Sequence, residues 1–286
     1  MRRGVLLALG LLVACATPPT TTGTAAAVGE EITGIAVPGT TATITARLCR
    51  PAAPGPARLA VINHGSPASP AERPGMRPAS CTTEAVRWFT ERGFAVLLPL
   101  RRGYGASGGA WAEGYGRCED ADFARAGRAT AADIAGAIAH ARRLPGIRAE
   151  GVVVVGQSAG GWGALALAAE NPPGIAAIVN MAGGRGGWAQ GVANTNCRPD
   201  RLVAGAAAYG SSARLRTLWI YTANDSFFGP DLAQRLQAAF TDAGGAARFH
   251  ALGPFGRDGH ALFFSQGGSA VWGPLVAPFL ADTSGR

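Results

Sequence analysis

Residues 151–163, Gly-Val-Val-Val-Val-Gly-Gln-Ser-Ala-Gly-Gly-Trp-Gly, constrain this chain more than any other stretch. The β-branched run Val152–Val155 reads as a buried strand. It ends at Gly156, and an alanine-rich apolar segment through Ala164–Ala168 reads as a helix. The turn between them is too sharp for ordinary side chains. Ser158 sits at its apex, and flanking glycines prevent clashes across it. Its hydroxyl is thereby placed at the positive end of the following helix. A chain with this unit builds alternating strands and helices around a mostly parallel sheet.

The Gly-x-Ser-x-Gly pattern needs that context, because 42 glycines in 286 residues produce stray matches. Gly105-Ala106-Ser107-Gly108-Gly109 is one. Arg101–Tyr104 separate Ser107 from the preceding strand, and no helix start follows it, so it reads as a loop serine. A phosphate-cradling loop around Ser158 would need a lysine that the motif lacks.

A nucleophilic serine needs a base, and the base needs an orienting acid. Of the four histidines, His140 lies in a helical stretch, His250 in an alternating strand, and His64 in a loop just after an apolar strand. His260 follows the late loop Pro254–Gly259 and is the candidate base. The strand Leu215–Thr222 ends at Ala223-Asn224-Asp225, which puts a carboxylate at a strand's C-terminal edge, where parallel sheets carry their chemistry. Asp231 and Asp242 read as helix-flanking caps, and Asp258 shares the loop of His260. Asp225 is therefore the candidate acid, and the chain order is Ser158, Asp225, His260.

On these residues the chain is similar to the α/β-hydrolase superfamily, and within it to the dienelactone-hydrolase and prolyl-oligopeptidase-like branch. The resemblance rests on Asn63-His64-Gly65-Ser66-Pro67, Arg102-Gly103-Tyr104-Gly105, Gly156–Gly160, Asn224-Asp225 and Asp258-Gly259-His260, and covers nearly everything from about residue 30 onward. It implies an α/β-hydrolase fold: a mostly parallel eight-stranded sheet with helices on both faces; the stretch 183–210, too long for a simple connection, reads together with 103–128 as a small cap. The resemblance also implies an oxyanion site made by the backbone N–H groups of Ala159 and Ser66. Tyr104 and Arg102 are candidate pocket residues, with packing as the alternative for Tyr104 and a structural ion pair as the favoured reading of the Arg101-Arg102 pair. Dienelactone hydrolases carry a cysteine nucleophile where this chain has serine, which favours ester or peptide cleavage over opening of a dienelactone. Without an additional domain to select peptides, the expectation is carboxylic-ester hydrolysis, with a serine peptidase as the alternative. A non-catalytic binding protein on the same fold is the reading from another class.

Hydrophobic residues make up 48% of the chain and charged residues 15%, enough for one well-cored domain. The net charge is +8, carried by arginine with no lysine, and no basic run is interleaved with aromatics, so nucleic-acid binding is not expected. The expected partner is a small-molecule ester or a peptide, with no cofactor and no metal; cysteine–histidine spacing for a metal is missing. Arg2-Arg3 followed by the short apolar stretch Val5–Ala14 reads as an export signal. Leu12-Val13-Ala14-Cys15 resembles a lipoprotein signal, implying lipidation at Cys15 and membrane contact only through that anchor, on the periplasmic side of a bacterial envelope; plain secretion is the alternative. The division is thus a leader over 1–15, a Thr/Ala/Pro-rich tether over 16–28 and a catalytic domain over 29–282, with oligomeric state left open. In an exported chain the other four cysteines can pair in three complete ways. Cys118 and Cys197 lie in long loops expected to leave the same sheet edge. The antiparallel second strand that the resemblance implies turns Cys49 toward the opposite one. Cys118–Cys197 is the expected bridge, with Cys49 and Cys81 left open.

Overall fold

The computed structural model describes Met1, residues 29–189 and residues 191–282. The expected leader and tether, with the Cys15 lipidation site, lie outside the described residues apart from Met1. Eight strands form one sheet: β1 (Gly29–Ala36), β2 (Thr43–Arg50), β3 (Arg58–Asn63), β4 (Phe94–Leu100), β5 (Val152–Gln157), β6 (Ile175–Met181), β9 (Thr217–Thr222) and β10 (Ala247–Leu252). Their spatial order is β1-β2-β4-β3-β5-β6-β9-β10, with β1 and β2 antiparallel and the rest parallel. A two-residue ribbon, β7 (Trp188–Ala189) with β8 (Val192–Ala193), stands apart.

The valine run of β5 is uninterrupted because both its faces are covered. Val152 and Val154 join the core under α2 (Phe123–Ala141), α3 (Ala159–Glu170), α4 (Pro199–Gly210) and α5 (Pro230–Asp242). Val153 and Val155 join the core under α1 (Glu84–Thr90) and α6 (Gly268–Ala281). The expected fold class is therefore the observed one. The run 129–143 reads from the sequence as a helix; α2 begins six residues earlier, at Phe123, because Asp122 caps it by accepting from the Arg125 N–H at 2.8 Å. Gly127, inside the helix, is a contact point: a Cβ there would lie 2.9 Å from Trp162.

The order of the sheet fixes where a site can form. From β3 the chain moves outward to β4, then returns to place β5 on the other side of β3. The C-terminal ends of β3 and β5 thus frame the crevice where strand order reverses, the usual ligand position in open α/β sheets. Asn63 pairs with Gly156 at that rim, so the His64–Ser66 loop and Ser158 leave the sheet side by side.

Within 183–210, α4 packs into the helical layer through Leu202, Ala206 and Tyr209. Only the part before it, residues 184–188, borders the crevice. Disulfides join Cys118 to Cys197 and Cys49 to Cys81. The first ties the loop after β4 to the segment after β6. Two such bridges suit an oxidising compartment, extracellular or periplasmic.

Candidate active site

Ser158 has φ +55° and ψ −121°, a conformation that costs a non-glycine residue about 1–3 kcal/mol and persists only where its surroundings enforce it. The enforcement is tight. Ser158 N–H donates to Met181 O at 3.0 Å, and Ser158 O accepts from Trp162 N–H at 2.9 Å and Gly184 N–H at 3.2 Å. Glycine is required at 160 because a Cβ there would come within 2.6 Å of His64 O. The serine is 6% exposed, at the first turn of α3, whose leading N–H groups have no helical partner.

Asp225 follows β9 and is buried. Its Oδ1 accepts from the N–H groups of Phe227 at 2.8 Å and Phe228 at 2.9 Å, which holds the carboxylate in a turn. Both its oxygens lie 3.0 Å from His260 Nδ1. That bond places the ring proton on Nδ1 and leaves Nε2 free to accept one. Phe227 stacks on the imidazole with centroids 4.1 Å apart, and Phe228 meets it edge-on. Asp258 fastens the two loops together: it accepts from the His260 N–H at 3.0 Å and from the Ser226 N–H and hydroxyl at 3.0 and 2.6 Å.

Gln157, next to Ser158, donates to His260 O at 3.0 Å, so the serine turn and the histidine loop are joined directly. The Ser158 hydroxyl makes no side-chain hydrogen bond among the described residues, to His260 or to any other group. In unliganded acyl-transfer sites this bond commonly tightens only when substrate is present.

Ser66 and Ala159 both line the cavity that opens on Ser158. The loop carrying Ser66 is close enough that a Cβ on Gly65 would lie 2.9 Å from Ser158 Cβ. The cavity measures about 160 Å³. Tyr104 stands one layer behind it, fully buried, with its hydroxyl 2.5 Å from Ser66 Oγ. Arg102 is not brought to the cavity. It pairs with Asp133, Nε to Oδ1 at 2.6 Å, because its side chain turns toward α2. Ser107 is a loop residue, accepting from Thr45 N–H at 2.9 Å and donating to Leu100 O.

Sequence reasoning missed a buried charged cluster behind Ser66. Glu113, fully buried, pairs with Arg101 through a short contact and with Arg185 at 3.2 Å, and accepts from the Tyr104 hydroxyl at 2.9 Å. Burial alone would raise the Glu113 carboxyl, but the Arg101 and Arg185 charges outweigh it and hold it down at about 2. Arg185 also donates to Ser66 Oγ at 2.8 Å. His64 is half-buried against the cluster; desolvation and the Arg101 charge push it down to about 3, so it is neutral. Its Nδ1 bonds Gly65 O at 2.7 Å and its Nε2 accepts from Arg101 N–H at 3.2 Å. Among the described residues no group of three or more His, Cys, Asp or Glu side chains is placed to hold a metal ion.

A strained serine at the topological switch point, beside a buried histidine–carboxylate pair, defines the molecule as an α/β-hydrolase with a serine nucleophile. The sequence profile of the X-Pro dipeptidyl-peptidase (S15) family matches residues 39–239, and the chain belongs to that family. The match ends before His260. No curated protein matches the sequence. Among solved structures, esterase Pf2001 from Pyrococcus furiosus is similar with a TM-score of 0.62 at 16% identity, covering 94% of this chain and 100% of its own. A Klebsiella pneumoniae protein assigned provisionally as a dienelactone hydrolase gives 0.58 at 16% identity, covering 88% and 99%. An acylaminoacyl peptidase from Pyrococcus horikoshii gives 0.63 at 15%, covering 90% of this chain but 42% of the peptidase.

Proposed function

We propose that this protein hydrolyses carboxylic esters through an acyl-enzyme formed on Ser158. Ser158 Oγ attacks the ester carbonyl carbon as His260 Nε2 takes its proton, with Asp225 holding the imidazole in the required tautomer. The resulting oxyanion accepts from the backbone N–H groups of Ala159 and Ser66, each worth about 3–4 kcal/mol of transition-state stabilisation. The C–O bond to the leaving alcohol breaks, and that alcohol departs with the proton from His260. Water, deprotonated in turn by His260, then attacks the acyl-enzyme and releases the acid and Ser158.

The observation that carries this reading is the buried Asp225–His260 pair, 3.0 Å from either carboxylate oxygen, joined through Gln157 to the strained Ser158 turn. The preference for esters rests on charge. A dipeptidyl-peptidase has to hold a free amino terminus, which is a cation, whereas the cavity beside Ser158 is lined by Arg73 and Arg185 and by no acidic residue. The peptidase reading keeps its own support, the family match. A fluorophosphonate probe tests the shared chemistry: labelling is expected in the wild type and lost in Ser158→Ala. Absence of labelling in folded wild-type protein would leave a binding protein on this fold. Parallel turnover of p-nitrophenyl esters and dipeptidyl anilides separates the two hydrolase readings. We further propose export as a lipoprotein anchored at Cys15; the mass of the mature N-terminus tests it.

A further inference from the structure

We propose that the cavity beside Ser158 is a carboxylate-recognition site, so that the esters this protein cleaves carry a negative charge on the part seated there. The proposal rests on the hydrolase reading for its substrate, but its electrostatics stand on the cavity wall alone.

Two guanidinium groups line the wall, Arg73 and Arg185, and the remaining lining residues are uncharged. Arg185 is 4% exposed, and the acid that holds it, Glu113, is shared with Arg101. One carboxylate against two guanidinium groups leaves a net positive charge in a desolvated place. Arg185 keeps a further donor, since its Nε–H is buried without a partner among the described residues. His64, neutral in this setting, neither adds to nor offsets that charge.

Arg73 reinforces it differently. Its guanidinium carbon lies 3.6 Å from the centroid of the Trp111 ring, and its side chain meets no acid and makes no hydrogen bond among the described residues. Stacking fixes the plane of a guanidinium while leaving its N–H edge open, which suits an arginine that receives a planar carboxylate with two parallel bonds. Trp111 is itself held, donating from Nε1 to the Tyr104 hydroxyl at 3.0 Å. The stacked arginine, the buried arginine and the candidate nucleophile thus share one small cavity. A volume of about 160 Å³ is below the ~300–1,000 Å³ usual for drug-sized ligands, which limits the seated group to a short one.

The test separates recognition from catalysis. Binding of succinate and of its neutral twin, succinamide, to Ser158→Ala protein is measured by calorimetry. Succinate is expected to bind at least tenfold more tightly. That advantage should fall about tenfold in Arg73→Gln, be partly restored in Arg73→Lys, and shrink as salt is raised. Succinate binding no tighter than succinamide, or undiminished in Arg73→Gln, overturns the proposal. Arg73→Gln removes no described hydrogen bond, so the variant is expected to fold, and its melting temperature checks that. With wild-type protein, mono-p-nitrophenyl succinate is compared with p-nitrophenyl butyrate, and 4-acetoxybenzoate with phenyl acetate. One anionic member is expected to be favoured about tenfold in kcat/KM, and which pair responds tells whether acyl or leaving group occupies the cavity. Brisk turnover with no preference in either pair overturns the proposal and leaves the hydrolase reading intact. Succinate binding without fluorophosphonate labelling does the reverse.

Discussion

Replacing Glu113 by glutamine tests whether the charged cluster behind Ser66 is as desolvated as its geometry implies. The substitution keeps shape and removes one negative charge, leaving Arg101 and Arg185 buried with no counter-ion between them. The amide also turns two of its own donors toward groups that already donate, the two guanidinium groups and the Tyr104 hydroxyl. Removing one partner of a buried ion pair costs about 3–5 kcal/mol. Linkage gives an independent figure. The carboxyl lies at about 2 in the fold against an ordinary 4.5, and at about 1.36 kcal/mol per pH unit that interval corresponds to roughly 3 kcal/mol. Because the folded value is the lower one, this stability is fully present above pH 4.5 and is lost as the pH falls toward 2. Urea unfolding at pH 7 is therefore expected to show a loss of about 3–5 kcal/mol in Glu113→Gln, and a drop in Tm on the order of 10 °C. Tyr104→Phe, which removes a donor but no charge, should cost about 1 kcal/mol by the same assay. A Glu113→Gln protein within about 1 kcal/mol of wild type would refute the claim that these charges are held out of water.

Two further outcomes are expected. Asp225→Asn should lower kcat by roughly 10³–10⁴ with little change in Tm, since it keeps the shape but not the tautomer of His260; steady-state ester kinetics measure it, and a loss below tenfold removes Asp225 from the mechanism. His64, held down at about 3 by burial and Arg101, takes up its proton far more readily in the unfolded chain, so protons favour unfolding. Stability should decline as pH falls from 6.5 toward 3, by about 2 kcal/mol at pH 5, and His64→Asn should lack that component in denaturant titrations across the window.

What was legible in the sequence was contiguous. The run Val152–Val155, the turn at Ser158 and the apolar helix behind it announce themselves between residues 151 and 168, and Asp225 follows a strand plain enough to read. His260 was legible by elimination among four histidines. The cluster around Glu113 was not, because its members come from three separate segments: 64–76 after β3, 101–113 after β4, and 185 after β6. No periodicity links such segments. The available signal was chemical: a single glutamate within the glycine-rich stretch Gly108–Gly116, beside Trp111 and following an Arg-Arg pair at a strand end. Of the two readings of Arg101-Arg102, the structural ion pair is the one observed, Arg101 with Glu113 and Arg102 with Asp133, while the arginines that reach the cavity are Arg73 and Arg185. Helix α2 began early for a related reason. Gly127 is dictated by Trp162 and the Tyr209 hydroxyl across the helical layer, contacts that local propensity cannot express.

The supports of the cavity and of the candidate oxyanion donor are the same atoms, and this has a consequence for specificity. Ser66 Oγ is held by Tyr104 on one side and Arg185 on the other, and both are held by Glu113. The Cys118–Cys197 bridge then fixes the loop that carries Trp111 and Glu113 to the segment that carries Arg185. A negatively charged substituent that engages Arg185 draws on a group already bonded to the Ser66 hydroxyl, so seating it and setting the Ser66 loop are not independent events. Variants that loosen the cluster should therefore lose rate on anionic esters more than on neutral ones, in kcat as well as in KM, because the loop proposed to receive the oxyanion is disturbed along with the group proposed to anchor the charge. A cluster variant that weakened only KM, equally for both ester classes, would mean that the two supports act separately.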